Sequence, residues 1–125
     1  SPPSTAYNCI AWAAGDVTRF WWPQPPQMAY WPPNAPRELT VEAFVIAFSG
    51  LGFEPCDKED LEPGVEKIAI YVDALGKVKH AARQLENGAW TSKLGVLEDI
   101  RHSLRGLNGG PYGKAVQFLS RVPSR

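Results

Sequence analysis

The chain predicts an α+β fold, with helices first and an antiparallel sheet after them. Two observations carry this. The two clearest helical patterns, with their caps, lie before about position 50, and β-branched apolar runs joined by short turns begin at Lys67. No internal repeat or heptad pattern competes with that reading. At 125 residues the chain suits one domain, 1–125, large enough to bury a core.

The elements follow in order. Tyr7 to Asp16 (Y-N-C-I-A-W-A-A-G-D) is a short helix, with Asn8 able to cap its start, alanines inside it and Gly15 at its end. Next comes a proline- and aromatic-rich loop, 20–37. It holds six prolines between Phe20 and Pro36, alongside Trp21, Trp22, Tyr30 and Trp31. Proline removes backbone donors and restricts its predecessor, so neither helix nor central strand runs through it. Rings of that size gain much by burial, which favours a flap packed on the core over a loose linker. Thr40 then caps a helix over Val41 to Phe48, with an apolar stripe at 41, 44, 45 and 48 closed by Gly50 and Gly52. The segment around Cys56 (F-E-P-C-D-K-E-D) is expected to be a surface loop.

The second half is β-rich. Lys67 to Asp73 is a central strand by composition, and Ala74 to Lys77 turns it into Val78 to Leu85. Glu86-Asn87-Gly88-Ala89 is a tight-turn signal that leads into Trp90 to Leu94. These three strands form a meander. A short helix is expected over Leu97 to Leu104, then a glycine-rich stretch (Gly106, Gly109, Gly110, Gly113) and a last strand, Ala115 to Arg121.

Charge and composition exclude several classes. Thirteen basic and 13 acidic side chains give no net charge, which argues against nucleic acid or an anionic membrane as the main partner. No apolar run approaches the roughly 20 residues of a membrane span. Two cysteines, Cys9 and Cys56, fit a reducing compartment better than a secreted scaffold, though a single bridge between them stays open. The chain starts at Ser1 with no charged-then-apolar leader, so any targeting segment is expected to be absent or removed, and the location to be cytoplasmic. No metal or other cofactor is expected, because two cysteines and two histidines lack the close pairings that mark zinc.

Cys9 is the first candidate for chemistry. In the first turn of a helix, unpaired N–H groups and the positive dipole end stabilise a thiolate; the competing reading is a buried, inert thiol. A thiol nucleophile needs a base. His80 lies inside the second strand (V-K-H-A-A-R-Q-L), where a rigid backbone fixes its direction. His102, in E-D-I-R-H-S-L-R, has the charged company of a solvated face.

A cysteine opening an N-terminal helix, a histidine on a later antiparallel strand and a polar residue one strand on resembles the papain-like superfamily. Its NlpC/P60 and transglutaminase-core branches are nearest in size and order. The segments Y-N-C-I-A-W-A at 7–13, H-A-A-R-Q-L at 80–85 and W-T-S-K-L-G at 90–95 are also similar to a family of small uncharacterised bacterial proteins. That likeness extends into E-D-I-R-H at 98–102 and Y-G at 112–113. It implies a papain-like core, with Cys9 as nucleophile and His80 as base. The third member, which orients the imidazole, falls by counting on Ser92. A two-residue Asn87-Gly88 turn pairs Gln84 with Thr91 and puts His80 on the face of Gln84, not Ser92; a longer loop or bulge reverses that parity. Related families carry histidine or aspartate where Ser92 stands. Gln84, Glu98 and Asp99 remain alternatives. The Cys9 backbone N–H supplies an oxyanion donor, and Asn8 adds its amide unless it serves as helix cap.

Two functions therefore compete. One is a cysteine hydrolase or acyltransferase acting on a peptide or other amide, with Trp21, Trp22 and Trp31 lining the substrate cleft. The other is a catalytically inactive binding module that uses the Trp/Tyr-rich loop, Tyr30 included, for an extended peptide or sugar.

Overall fold

A computed structural model describes residues 8–16, 19–23, 29–57, 62–84, 90–93, 99–102 and 113–122. It is an α+β structure: helices α1 (Cys9–Ala14) and α2 (Val41–Ser49), then strands β1 (Glu54–Cys56), β2 (Glu66–Val72), β3 (Val78–Gln84), β4 (Trp90–Lys93), β5 (Asp99–His102) and β6 (Lys114–Arg121). Among the described residues the strands form one six-stranded sheet in the order β1-β6-β2-β3-β4-β5, and its neighbours pair antiparallel.

Both helices begin and end where local chemistry dictates. Asn8 caps α1 by accepting from Ala11 N, and Gly15 closes it at φ 84°, a left-handed conformation that glycine adopts without penalty. The Thr40 hydroxyl accepts from Ala43 N to start α2. The buried stripe of α2 is Ala43, Phe44, Ala47 and Phe48, flanked by half-buried Val41 and Val45. Two small alanines thus replace the expected valines at the centre of the contact, and they let the helix approach closely.

The sheet separates two apolar layers. On one face Ile68, Ile70 and Val72 of β2, Val78 and Ala81 of β3 and Leu119 of β6 pack with both helices and with Trp21 and Trp31. On the other, Ala69, Tyr71, Ala82 and Trp90 form a smaller cluster with Phe118 and Ala115 beside it. Six of the seven residues of β2 are buried, as a strand covered on both sides requires. Gly113, at φ 82°, leads into β6 so close to β2 that any Cβ would collide with the Val72 carbonyl oxygen. One guanidinium fastens the far edge. Arg121 donates twice to Glu66 Oε1 (3.0 and 2.8 Å) and once to the Leu51 carbonyl (2.9 Å), and it lies over the Phe53 ring.

The structure corrects three expectations. The Cys56 segment is an edge strand, Pro55 pairing with Leu119 and Cys56 with Phe118. Proline is tolerated there because an edge strand need not donate on its outer side. Asp99–His102, expected within a short helix, is strand β5 and pairs with β4 from Trp90↔His102 to Lys93↔Asp99. The unpaired backbone edge of β4 outweighs a weak helical preference. Gln84 pairs with Trp90, not Thr91, one residue away from the register of a two-residue turn. The proposed turn at 86–89, the helix positions outside 99–102 and the glycines from 106 to 110 lie outside the described residues. Among the described residues, no helix is long and apolar enough to cross a membrane.

The β2–β3 turn is built on Asp73. Its carboxylate accepts from Leu75 N (2.9 Å) and Lys77 N (3.0 Å), with the Lys79 ammonium 3.8 Å away. The Lys77 hydrogen bond leads in holding the Asp73 pKa below its usual value, with Leu75, Lys79 and the Lys77 charge assisting. A lowered folded pKa contributes stability that is present above the unfolded value and lost as pH falls through the folded one. Asp73→Asn should therefore be less stable than the parent at pH 7, and the gap should close as pH falls below about 3.9. Urea titrations from pH 7 to 2.5 measure it; a gap that persists unchanged at the acid end contradicts this account.

Candidate functional site

Cys9 is the first helical residue of α1 and is half-buried against the helix-side core. Asn8, directly before it, does more than cap. Its Oδ1 accepts from both Ala11 N (3.1 Å) and Trp21 N (3.1 Å), and its Nδ2 donates to the Trp21 carbonyl (2.8 Å). The side chain thereby fixes the aromatic loop to the start of α1, and this amide bond to Trp21 occupies the group offered for an oxyanion. No disulfide joins Cys9 to Cys56. α1 packs over β3 and β4, whereas Cys56 lies on β1, three strand spacings or roughly 14 Å from β3.

His80 is in β3 and fully buried, but the register assigns it to the other face of the sheet. Ile70 pairs with Ala81, and both pack in the helix-side core; the next pair, Tyr71 with His80, points the opposite way. Tyr71 belongs to the second cluster, and its ring meets the imidazole edge-on at 5.4 Å between centroids. Burial pushes the Tyr71 phenol up to about 12, so it stays neutral at ordinary pH. Cys9 and His80 thus stand on opposite sides of the backbone sheet. Direct proton transfer needs heavy atoms about 3 Å apart, which that separation prevents.

The candidates for third member divide by register. With Gln84 opposite Trp90, position 92 has the parity of Gln84 and His80, the reverse of the two-residue-turn expectation. Ser92 itself pairs with Ile100, and Asp99 with Lys93, on the backbone ladder. Glu98 lies outside the described residues. On the helix side, the group that meets α1 from β3 is Arg83. It donates to the Trp12 carbonyl (3.2 Å) and lies 4.1 Å over the Trp12 ring.

The aromatic loop packs as a flap. Trp21 and Trp31 are core residues, 4% and 3% exposed, and Trp22 is half-buried. Trp22 and Trp31 each meet Phe44 of α2 edge-on, at 5.9 and 4.8 Å. Asp16 accepts from Trp21 Nε1 (2.9 Å) and Arg19 Nε (2.9 Å), and Trp31 Nε1 donates to the Pro36 carbonyl (3.0 Å). The three tryptophans therefore do not form an open recognition surface. Burial of their large apolar area wins over exposure.

Among the described residues a cleft of about 200 Å³ lies between loop and helix. Trp21, Tyr30, Pro32, Pro33 and Asn34 wall it on one side; Ala47, Gly50 and Leu51 close it at the end of α2. The sequence signalled half of this in its paired prolines and Tyr30. From the sequence Gly50 is only the close of a helix and Leu51 carries no signal, because their place at the cleft depends on where the loop folds back.

The family described as "Domain of unknown function (DUF7689)" matches residues 1–120. No curated protein and no solved structure matches.

Because the sheet lies between them, His80 should not set the reactivity of Cys9. The pH profile of Cys9 alkylation, read by mass spectrometry, should be the same in the parent and in His80→Gln with its fold checked by circular dichroism. A profile that moves up towards an ordinary thiol in the variant would restore the pair.

Proposed function

The chain belongs to the DUF7689 family, and we propose that its domain is a binding module that takes one side chain of an extended peptide into the cleft beside α2. The observation that supports this is the cleft's size and lining. At about 200 Å³ it lies below the roughly 300–1,000 Å³ of pockets that enclose whole small molecules, yet it suits a single side chain. Aromatic and proline walls are the surfaces that grip extended peptides in many recognition domains. The partner under this reading is a peptide, with neither nucleic acid nor membrane involved.

Asn34 is exposed at the cleft's rim, so a large ring there blocks entry with little cost to folding. Titrating the isotopically labelled chain with a library of extended pentapeptides should shift the Gly50 and Leu51 amides and the Trp21 indole. Asn34→Trp should weaken that binding about tenfold or more while leaving the melting temperature alone. Undiminished binding by Asn34→Trp removes the reading.

One observation favours a second reading, an amide hydrolase or acyltransferase with a papain-like core. Cys9 opens α1, and helix-then-antiparallel-sheet is the order that such a core uses. It requires a base other than His80, since the sheet stands between the two. If Cys9 is activated, it should keep reacting with iodoacetamide as pH falls from 8 to 5 after Cys56 has stopped. Parallel loss at both cysteines rejects the enzyme.

A further inference from the structure

The polar groups that border the cleft are already engaged within the protein. At the end of α2 the Ile46 carbonyl accepts from the Ser49 hydroxyl, the Phe48 carbonyl from Gly50 N and Leu51 N, and the Ser49 carbonyl from Gly52 N. The Leu51 carbonyl accepts from Arg121. Across the cleft, Asn8 holds both backbone groups of Trp21, and Asp16 accepts from its indole N–H. The Tyr30 backbone bonds to Phe20 and Trp22, and the Pro32 carbonyl accepts from Ala35 N. Nearby charges are engaged too: Arg19 covers the Tyr30 ring and pairs with Asp16, and Arg121 pairs with Glu66. No lining side chain is a carboxylate, imidazole, ammonium or guanidinium; the polar ones are the Tyr30 phenol and, exposed at the rim, the Asn34 amide. Apolar surface continues outside, where Ile46, one turn before Gly50 on α2, is 36% exposed.

We infer that the cleft selects an uncharged, apolar side chain of the bound peptide, one of about leucine size. The inference rests on the peptide-binding reading above and adds the substrate class. A charged or amide side chain that enters gives up water and meets walls whose donors and acceptors are taken, so its desolvation goes uncompensated. An alkyl side chain has no such loss and gains by leaving water against proline, alanine, leucine and ring carbons. Selectivity here comes from what the lining withholds as much as from what it offers.

The test uses the full chain and four blocked pentapeptides that differ only in a central Leu, Asn, Lys or Ala between alanines. Amide shifts at Gly50 and Leu51 read the affinity up to millimolar concentration. Asn matches Leu in shape but not in polarity, so the Leu peptide should bind about tenfold more tightly than Asn or Lys. It should bind about fivefold more tightly than Ala, which lacks the buried carbons. Gly50→Leu sets an apolar side chain of the protein's own at the cleft. Gly50 has φ −63°, and a Cβ there meets only the Ala47 carbonyl oxygen, at 3.7 Å, so the backbone accepts the change. The variant should weaken the Leu peptide about tenfold. Asn, Lys or Ala binding as tightly as Leu overturns the apolar selectivity and leaves peptide binding standing. Undiminished Leu binding by Gly50→Leu, or no shift at the cleft with any of the four, overturns both. Shifts that follow the protein's own concentration instead of the peptide's mean that a second copy fills the cleft, and they also overturn both.

Discussion

The antiparallel pairing of β2 with β3 decides, residue by residue, which side of the sheet each side chain occupies. Ile70 and Ala81 face the helices; Tyr71 and His80, one step along, face away. Because the pleat alternates with period two, nothing short of a slipped register brings His80 round to α1, and such a slip would carry Val78 and Ala81 out of the helix-side core. The bulge between Tyr71 and Val72 is what keeps Val78 on the helix side despite its odd spacing from Ala81. Imidazole and thiol are therefore parts of two different packed layers.

The loop between the helices owes its shape to polar groups more than to its rings. Asn8 and Asp16 bracket α1, and each reaches the loop: Asn8 through the Trp21 backbone, Asp16 through the Trp21 indole and Arg19. Trp22 N and Tyr30 N add backbone bonds to Tyr30 O and Phe20 O. With its backbone and indole groups satisfied in this way, Trp21 can be buried without the cost of orphaned donors. The aromatic area then settles on Phe44, and the cleft is the space that this packing leaves at the end of α2.

Much of the fold was legible in the residues. Asn8, Gly15 and Thr40 mark helix ends through local hydrogen-bonding chemistry, and that chemistry operates unchanged in the structure. The apolar runs expected as strands from 67, 78 and 115 contain the strands Glu66–Val72, Val78–Gln84 and Lys114–Arg121, and β2, buried at six of its seven residues, has the composition of a strand covered on both faces. Failures came where a distant partner decides. Glu54–Cys56 and Asp99–His102 are strands because β6 and β4 offer them unpaired edges, a cause invisible in either segment. The site was less legible for the same reason. Order along the chain suggested that Cys9 and His80 meet, but the face of a strand residue depends on register, and here a bulge and a shifted hairpin set it.

The last strand in sequence is an inner strand in space. β6 lies between β1 and β2 and supplies the only bridge joining them in the sheet as described. A polypeptide made from its amino end can assemble the β2-to-β4 meander early, from contacts close along the chain. It must leave β1 and one side of β2 without their neighbour until Lys114–Arg121 has emerged. During synthesis those open backbone edges are sticky templates for other nascent chains, so the speed of translation up to Lys114–Arg121 and chaperone access to β1 and β2 should govern the yield of correctly folded molecules.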